Sequence, residues 1–404
     1  MFGGAAFGEF AFAEFESDIA TAVDAYLDWL RRPAAARCWL LEVDALSLAA
    51  VDAQGAGFGD AGFGEIAFAE SSEGIEGGEV TQYWSTHGYT SHAGDVPART
   101  WYPGRLQADQ LRLERTIAGD RGIGGLARVY AEAILVNDDG GLDALNDAYA
   151  LDGRAARVYL GAPDDAKASY ALVFAGVVRS VTVGNTVRLG LSDGLARLEE
   201  RMVNPSTYAG SGGTEGGDDL KGKRKPWCGG TVKNVPAVLV DAANLIYQVS
   251  DGAINDVPAV YDRGIALSKV GGVPGSGEYS VDTTNGRFTL GATPAGTVTA
   301  DVEGDATLDG YIEATGALVK RILLARGGIA SGELEPVSFA RFASAVPADV
   351  GIWVGTEPVS CAAAIDELLA NVGAFGGFIA SGQFSIARLD LPTGVPAASY
   401  DTQE

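Results

Sequence analysis

The apolar residues of this chain recur with two periods, and the change between them divides it. From Arg37 to Leu48 the residues Trp39, Leu41 and Val43 alternate along what the pattern predicts to be a strand. Between residues 80 and 200 the same two-residue period returns: Leu111 and Leu113, then Val129–Val136, Arg154–Leu160, Ala171–Val183 and Val187–Leu191. A short helix with Leu142, Leu145 and Tyr149 on one side interrupts them, and Gly184-Asn185 marks a hairpin turn. Several short strands around one short helix predict a small barrel or sandwich. Strands return from Thr231 to Asp301, with turns at Asp251-Gly252, Asn285-Gly286 and Pro294–Gly296; Gly286–Gly291 and Thr297–Val302 read as a strand pair. After Asp305 the period becomes helical. Helices are predicted around Leu318–Leu323, over Val337–Ala345 and over Cys361–Val372, followed by a hairpin from Gly376 to Leu389 that turns at Ser381-Gly382.

The N-terminal region repeats itself. Ala6–Glu14 returns as Gly62–Glu70 with seven of nine positions identical. Phe10 and Phe12 fall on one face of an extended chain, so each copy reads as a short strand, paired with the other or serving as an arm that docks on a neighbouring subunit. Between the copies, Ser17 or Asp18 caps a helix carrying Ile19, Val23, Tyr26, Leu27 and Leu30, and Pro33 ends it.

These segments predict a β-rich α+β protein: an arm with its helix and repeated strands over residues 1–79, a β-barrel over 80–203 that takes in strand 37–48, a glycine-rich loop over 204–230, a β domain over 231–304 and an α+β domain over 305–404. Hydrophobic residues make up 47% of the 404, enough to fill several cores, so disorder throughout is excluded.

Charge narrows the function. With 53 acidic and 29 basic side chains the net charge is −24, which disfavours sequence-specific DNA binding by the general surface. Against that background Lys221, Lys223, Arg224 and Lys225 form a basic knot in the glycine-rich loop, solvated, in contact with an acidic patch on a symmetry mate, or, against the repulsion of the acidic background, on nucleic acid. No run approaches the ~20 apolar residues of a membrane span, and the first residues lack the basic start and apolar core of a secretory signal. Cys38, Cys228 and Cys361 are far apart, form no CxxC pair and fit a reducing cytoplasm.

Catalytic chemistry is not legible. His87 and His92 lack the partners of a zinc site, Gly210–Gly213 lacks a phosphate-loop lysine, and no serine-nucleophile elbow occurs. Asn137-Asp138-Asp139-Gly140-Gly141 reads as a turn, without the further ligands of a calcium loop. The expectation is no enzyme, no cofactor, no metal and no catalytic residue. Phe7, Phe10, Phe12, Phe63 and Phe68, with Lys221, Lys223, Arg224 and Lys225, are the candidate inter-subunit contacts.

Several strings occur together: Ser85–Tyr89 before Trp101-Tyr102, Asn137–Asp143 before Asp152-Gly153-Arg154, and Asn204-Pro205 before Tyr208-Ala209-Gly210. Gly216–Lys223, Lys225-Pro226-Trp227-Cys228, Asn234–Asp241, Leu245–Gly252 and Ala259–Gly264 complete the set. Together they resemble the tail-tip, baseplate hub-like proteins of long-tailed bacteriophages and related prophages, over roughly residues 37–390. The resemblance implies a virion protein at the distal end of the tail, assembled in the host cytoplasm, with a barrel like that of the tail tube. It implies a ring of three or six copies around the channel and contacts with a distal tail protein, the tape-measure protein and tail fibres or receptor-binding proteins. Genomic DNA would meet it in transit, and the host envelope on infection. A trimeric hub of this type carries two tube-like barrels per chain. One is read here, so the second belongs to another chain, the ring is hexameric, or a later β region supplies it. Some relatives hold iron–sulfur clusters, for which these dispersed cysteines lack the spacing. The alternatives are a receptor-binding tip protein and a tail-associated cell-wall hydrolase.

Overall fold

The computed structural model describes Trp29 and residues 36–48, 78–116 and 124–388, with backbone alone for 112–116. The repeat, the helix between its copies, and Phe7, Phe10, Phe12, Phe63 and Phe68 lie outside the described residues. The chain forms two compact units. Of the described residues, the first takes in those within 36–111, 133–173 and 181–188, and the second those within 112–132, 174–180 and 189–388.

The first eleven strands are β1 (Cys38–Ser47), β2 (Glu79–Ser85), β3 (Tyr89–Thr90), β4 (Trp101–Tyr102), β5 (Arg112–Thr116), β6 (Gly125–Leu126), β7 (Arg128–Val136), β8 (Tyr149–Ala150), β9 (Ala155–Gly161), β10 (Ala171–Thr182) and β11 (Thr186–Ser192). Helix α1 (Leu145–Ala148) precedes β8. In the first unit β1 is central: it pairs antiparallel with β2 (Leu40 opposite Ser85, Leu46 opposite Glu79) and with β9 (Leu40 opposite Tyr159). Being covered on both faces, β1 buries Leu40, Leu41 and Val43 in succession.

The β-rich α+β class holds, but the barrel expected over 80–203 is not closed. The ladder order is β2-β1-β9-β10-β11-β7-β5, an open path. Near β2 the chain comes back as residues 103–107 and makes single bridges, Gly104 with Ser85 and Leu106 with Leu135. Pro103 has no N–H to give, and the chain tightens into a 3₁₀ turn at Ala108–Gln110, so no ladder grows there.

In the second unit, helix α2 (Leu195–Glu200) leads to a long irregular segment and then to a two-sheet sandwich. Its strands are β12 (Trp227–Pro236), β13 (Val238–Asp241), β14 (Ile246–Gln248), β15 (Ile254–Asp262), β16 (Ile265–Ala266), β17 (Ser268–Lys269), β18 (Glu278–Asp282), β19 (Arg287–Leu290) and β20 (Val298–Asp305). One sheet contains β16-β15-β20-β12, the other β13-β14-β19-β18-β17. Between them lie Val235, Ile254, Val257, Val260, Ala300 and Val302 with the aromatic group Tyr247, Tyr279 and Phe288. Tyr247 stacks on Phe288 at 5.3 Å, and Tyr279 meets the same ring edge-on at 6.3 Å. The register of β15 against β20 shifts between Asp256 and Ala259, where Pro258 supplies no donor. The expected pairing of 286–291 with 297–302 does not occur. Strand β19 joins β14 and β18, while β20 lies between β15 and β12 in the other sheet, because the turn at Pro294–Gly296 carries the chain across the sandwich.

The α+β part follows the sequence closely. Helix α3 (Thr315–Arg321) runs into a π turn at Ile322–Arg326; β21 (Gly351–Val354) joins β12; and α4 (Pro336–Ala345) and α5 (Cys361–Asn371) flank the ribbon β22 (Ala374–Phe378) and β23 (Phe384–Arg388). Proline at the first helical position and the Glu335 carboxylate, accepting from the Val337 and Ser338 N–H groups, start α4. Ser360 Oγ accepts from Ala363 N at 3.1 Å to start α5. Apolar faces at helical spacing, Leu318 with Ile322 and Ile365 with Leu368 and Leu369, meet in one core with Trp227 and Phe342.

At the β12–β21 crossing Gly230 is opposite Gly351. Gly230 has φ of +69°, and a Cβ there would lie 2.0 Å from Val350 O. Gly230→Ala therefore combines roughly 1–2 kcal/mol of left-handed strain with a backbone collision, and is expected to lower the denaturation midpoint of the second unit. An unchanged midpoint in urea would contradict this.

Candidate functional site

In the first unit loop 91–100 forms the tip of the ribbon β3–β4. Tyr89 pairs with Tyr102 and Thr90 with Trp101. The loop is held from inside. Ser91 Oγ donates to Pro97 O at 2.7 Å and accepts from Thr100 N at 2.8 Å. The buried Asp95 carboxylate accepts from the backbone N–H groups of His92 (2.6 Å), Lys167 (3.0 Å) and Ala168 (3.2 Å). Burial pushes the Asp95 carboxyl upward, but those three donors outweigh it and hold it below the usual carboxylate value.

Beneath the loop, Lys167 Nζ donates to Val96 O at 2.8 Å and pairs with Glu42 Oε1 at 2.5 Å, both side chains being almost fully buried. Tyr102 OH donates to the same carboxylate oxygen at 2.5 Å. Arg157 reaches Glu42 at 3.5 Å and holds Asp44 at 2.6 Å. Lys167 also lies 4.9 Å from the centre of the Tyr159 ring. Burial, reinforced by the Glu42 charge, pushes the Tyr159 phenol up to about 12 and Tyr102 higher still, so both remain protonated donors. Tyr83, Tyr89 and Tyr170 pack around this group with Cys38 and Leu40. The network is a satisfied polar core that fixes the tip to strands β1 and β9.

The outer surface of the tip has a different character. Val96 is 86% exposed and Trp101 58%. Trp101 lies over the backbone of Gly88, where a Cβ would sit 2.7 Å from the indole, so a glycine with φ of +82° is needed there. His87, His92 and Arg99 are exposed beside them. From residue 86 to 105 the sequence holds one acid, Asp95, and it faces inward.

At the far end of β1 and β2 the same unit carries a shallow cavity of about 380 Å³, lined by Asp44, Ala45, Glu79, Val80, Thr81, Arg154 and Ala155. Glu79 is mostly exposed and makes a long 3.4 Å pair with Arg154.

The glycine-rich segment uses part of its basic knot internally. Arg224 Nη1 donates to Pro205 O at 2.5 Å. Lys225 pairs with Glu215 at 2.7 Å and sits 5.6 Å from the Tyr208 ring centre. Buried Tyr208 donates to Gln248 Oε1 at 2.8 Å, and Asn204 Nδ2 donates to Gly355 O and Glu357 O. Lys221 and Lys223 are exposed, with Asp218 and Asp219 exposed next to them in sequence. The Lys225 ammonium holds the Glu215 carboxyl below its ordinary 4.5. A lowered carboxyl contributes stability above its ordinary value and loses it as pH falls. Limited proteolysis within 204–226 is therefore expected to accelerate as pH drops below about 4.5 relative to pH 7; equal rates would contradict that.

The other sequence candidates are structural. Asn137 Oδ1 accepts from Leu142 N at 2.7 Å and Asp139 pairs with Arg105 at 2.7 Å, closing the Asn137–Gly141 turn. His87 and His92 are exposed, and among the described residues no three His, Cys, Asp or Glu side chains converge as metal ligands. All three cysteines are buried, and burial pushes the thiols of Cys228 and Cys361 up to about 12 and about 11. Native protein at pH 8 is expected to leave all three unmodified by a thiol reagent, with three reacting after denaturation. Modification of any one in the native state would refute this.

The sequence reading missed Glu42, Asp95 and Lys167. The available signal was a carboxylate at Glu42 inside the apolar run Leu40–Val43.

No protein-family profile and no curated protein sequence matches the chain. Among solved structures it is similar to a chain of the "Virion of native gene transfer agent (GTA) particle", at 13% identity and a TM-score of 0.24, covering 69% of this chain and 83% of that one. At that score the likeness carries no argument about fold or role.

Proposed function

We propose that this chain is a structural protein of a phage-type virion, at the distal end of the tail. It forms a ring of three or six copies around the channel and links tube and tape measure to fibres or receptor-binding proteins. The observation that carries this reading is where the hub-like strings fall. Asn137 and Asp139 close a turn, Asn204 and Tyr208 pin the irregular segment, and Trp227 is fully buried with its Nε1 on Asp305. The features that make the sequence resemble tail-tip proteins are thus parts of the hydrogen-bonded framework within each unit. An acidic surface suits a conduit that must let DNA pass without holding it. In this reading the chain has no catalytic activity of its own, and clearing of peptidoglycan by the purified protein would count against it.

The test is a cryo-EM reconstruction of particles from the source, refined without imposed symmetry. Three or six copies around the distal channel are expected. A position off the axis, or absence from the particle, would overturn the proposal. A receptor-binding role is the second reading, favoured by Ile265 (72% exposed) and Val273 (98% exposed) on the sandwich. Direct binding of the isolated chain to host cells would support it.

A further inference from the structure

The second unit holds a groove of about 610 Å³, lined on one side by Val337, Arg341, Phe342 and Ala345 of helix α4 and on the other by residues 385–388 of strand β23. We propose that this chain's own residues 389–404 fold back along the groove and cover it, Asp390 pairing with Arg341 and Tyr400 closing over Val337. The contact is independent of the tail-tip role proposed above.

Three observations select this occupant. The first is an uncovered strand edge. In the order β23-β22-β6, strand β23 is outermost, and among the described residues its outer edge carries a single bridge, Leu334 with Phe384, and no ladder. Side chains alternate between the two faces of a sheet, yet Ser385, Ile386, Ala387 and Arg388 all line the groove, so it runs along that edge and not across a face. The start of α4 closes only the near part: Glu335 N donates to Phe384 O at 2.9 Å, and Ser338 Oγ accepts from Ile386 N at 3.3 Å. Natural sheets cover such edges with a further piece of chain.

The second is reach. Those two bonds set Glu335 beside Phe384 and Ser338 beside Ile386, so α4 and β23 run in the same direction and Arg341 lies toward the Arg388 end. Asp390 is two residues further along the chain. Pro392 and Gly394 occupy the second and fourth positions of a type I turn pattern over Leu391–Gly394. A turn there sends Val395–Tyr400 back along the edge toward Val337, and such a stretch spans about 20 Å when extended, enough to pass the whole of β23. A segment joined to the rim of the groove meets it at an effective concentration on the order of millimolar, an advantage no separate partner has.

The third is chemistry. Glu335 is the one carboxylate in the lining, and it accepts from the Val337 and Ser338 N–H groups. Arg341 is exposed and, among the described residues, has no carboxylate partner. Residues 389–404 contain Asp390, Asp401 and Glu404 and no Lys or Arg. Val337 is 51% exposed above the buried Phe342 and Ile386, and Leu391, Val395 and Tyr400 supply the apolar cover.

The experiment uses the full chain carrying Val337→Cys and Tyr400→Cys, the three native cysteines being buried. Oxidation at low protein concentration is expected to give an intramolecular disulfide: monomer mobility on a non-reducing gel, and a linked peptide pair in the digest that reductant separates. Adding Arg341→Glu should cut the linked fraction about threefold or more, with unchanged circular dichroism, and adding Asp390→Arg to that variant should restore it. Equal yields in all three would show random collision of a tethered segment and overturn the proposal. Disulfide-linked dimers in place of the intramolecular link would assign the groove to the same segment of a second copy, and no link at all would assign it to another occupant; each overturns the proposal. None of these readouts needs the virion, so their failure leaves the tail-tip reading standing.

Discussion

Glu42→Gln is expected to destabilise the first unit by about 3–5 kcal/mol, which lowers its melting temperature by roughly 6–20 °C. The substitution leaves the Lys167 ammonium buried, 2.5 Å from a neutral amide in place of a carboxylate. Arg157 keeps Asp44 as its partner at 2.6 Å, so the loss falls on the Lys167 side. The effect has a location. Lys167 holds Val96 O, and its own N–H is bound by Asp95, so amide exchange over residues 91–100 is expected to rise before the rest of the unit melts. Removing both charges with Glu42→Leu/Lys167→Met should cost less than Glu42→Leu alone, because no uncompensated charge remains, while the Tyr102 hydroxyl loses its acceptor in both. Differential scanning calorimetry with hydrogen exchange reads both. Equal losses for the single and double variants would show that the pair is not the source of the stability.

The second unit is expected to be as sensitive at Asp305. Its Oδ1 accepts from Thr307 N at 2.8 Å and lies 3.4 Å from Arg321 Nη1, and its Oδ2 accepts from Trp227 Nε1 at 3.3 Å. Arg321 is buried, and it also donates to the carbonyls of Asp305, Leu308 and Gly310. Asp305→Ala strands that guanidinium and removes the acceptor of the Trp227 indole. A loss of about 3–5 kcal/mol follows, read as a shift of the urea midpoint followed by tryptophan fluorescence. Asp305→Asn preserves the shape and part of the hydrogen bonding, and should lose less. A midpoint within error of the parent for Asp305→Ala would refute the assignment.

The sequence carried the elements better than their partners. Alternation placed β1, β7, β9, β10 and β11 to within a residue or two, and the helical period placed α4 and α5. Period two tells which faces a strand buries, and nothing about its neighbour. Strands β19 and β20 were thus expected to pair, being adjacent in sequence, although they lie in opposite sheets. Closure of the barrel failed for the same reason, since it depends on a ladder between the two edge strands that no local pattern records. Helix α2 escaped notice because six residues give under two turns of periodicity, although Leu195 and Leu198 are buried. At the candidate site the basic knot was visible as charge, but Glu215 and the Pro205 carbonyl, which occupy Lys225 and Arg224, were not identifiable as partners. The ion pair of Glu42 with Lys167 joins residues far apart in the chain, and only the folded register of β1 against β9 brings them together.

The pairing of β12 with β20 has an evolutionary consequence. Thr231 is opposite Glu303 and Pro236 is opposite Thr299, so the sandwich leaves and rejoins the chain at neighbouring points. Material added or removed between those points leaves the ends where they were, and the closure entropy of the rest of the chain is unaffected. Natural variants are therefore expected to trade, shorten or elaborate the stretch between Pro236 and Val298 as a cassette. The flanking residues, Trp227 and Asp305 among them, should tolerate little change.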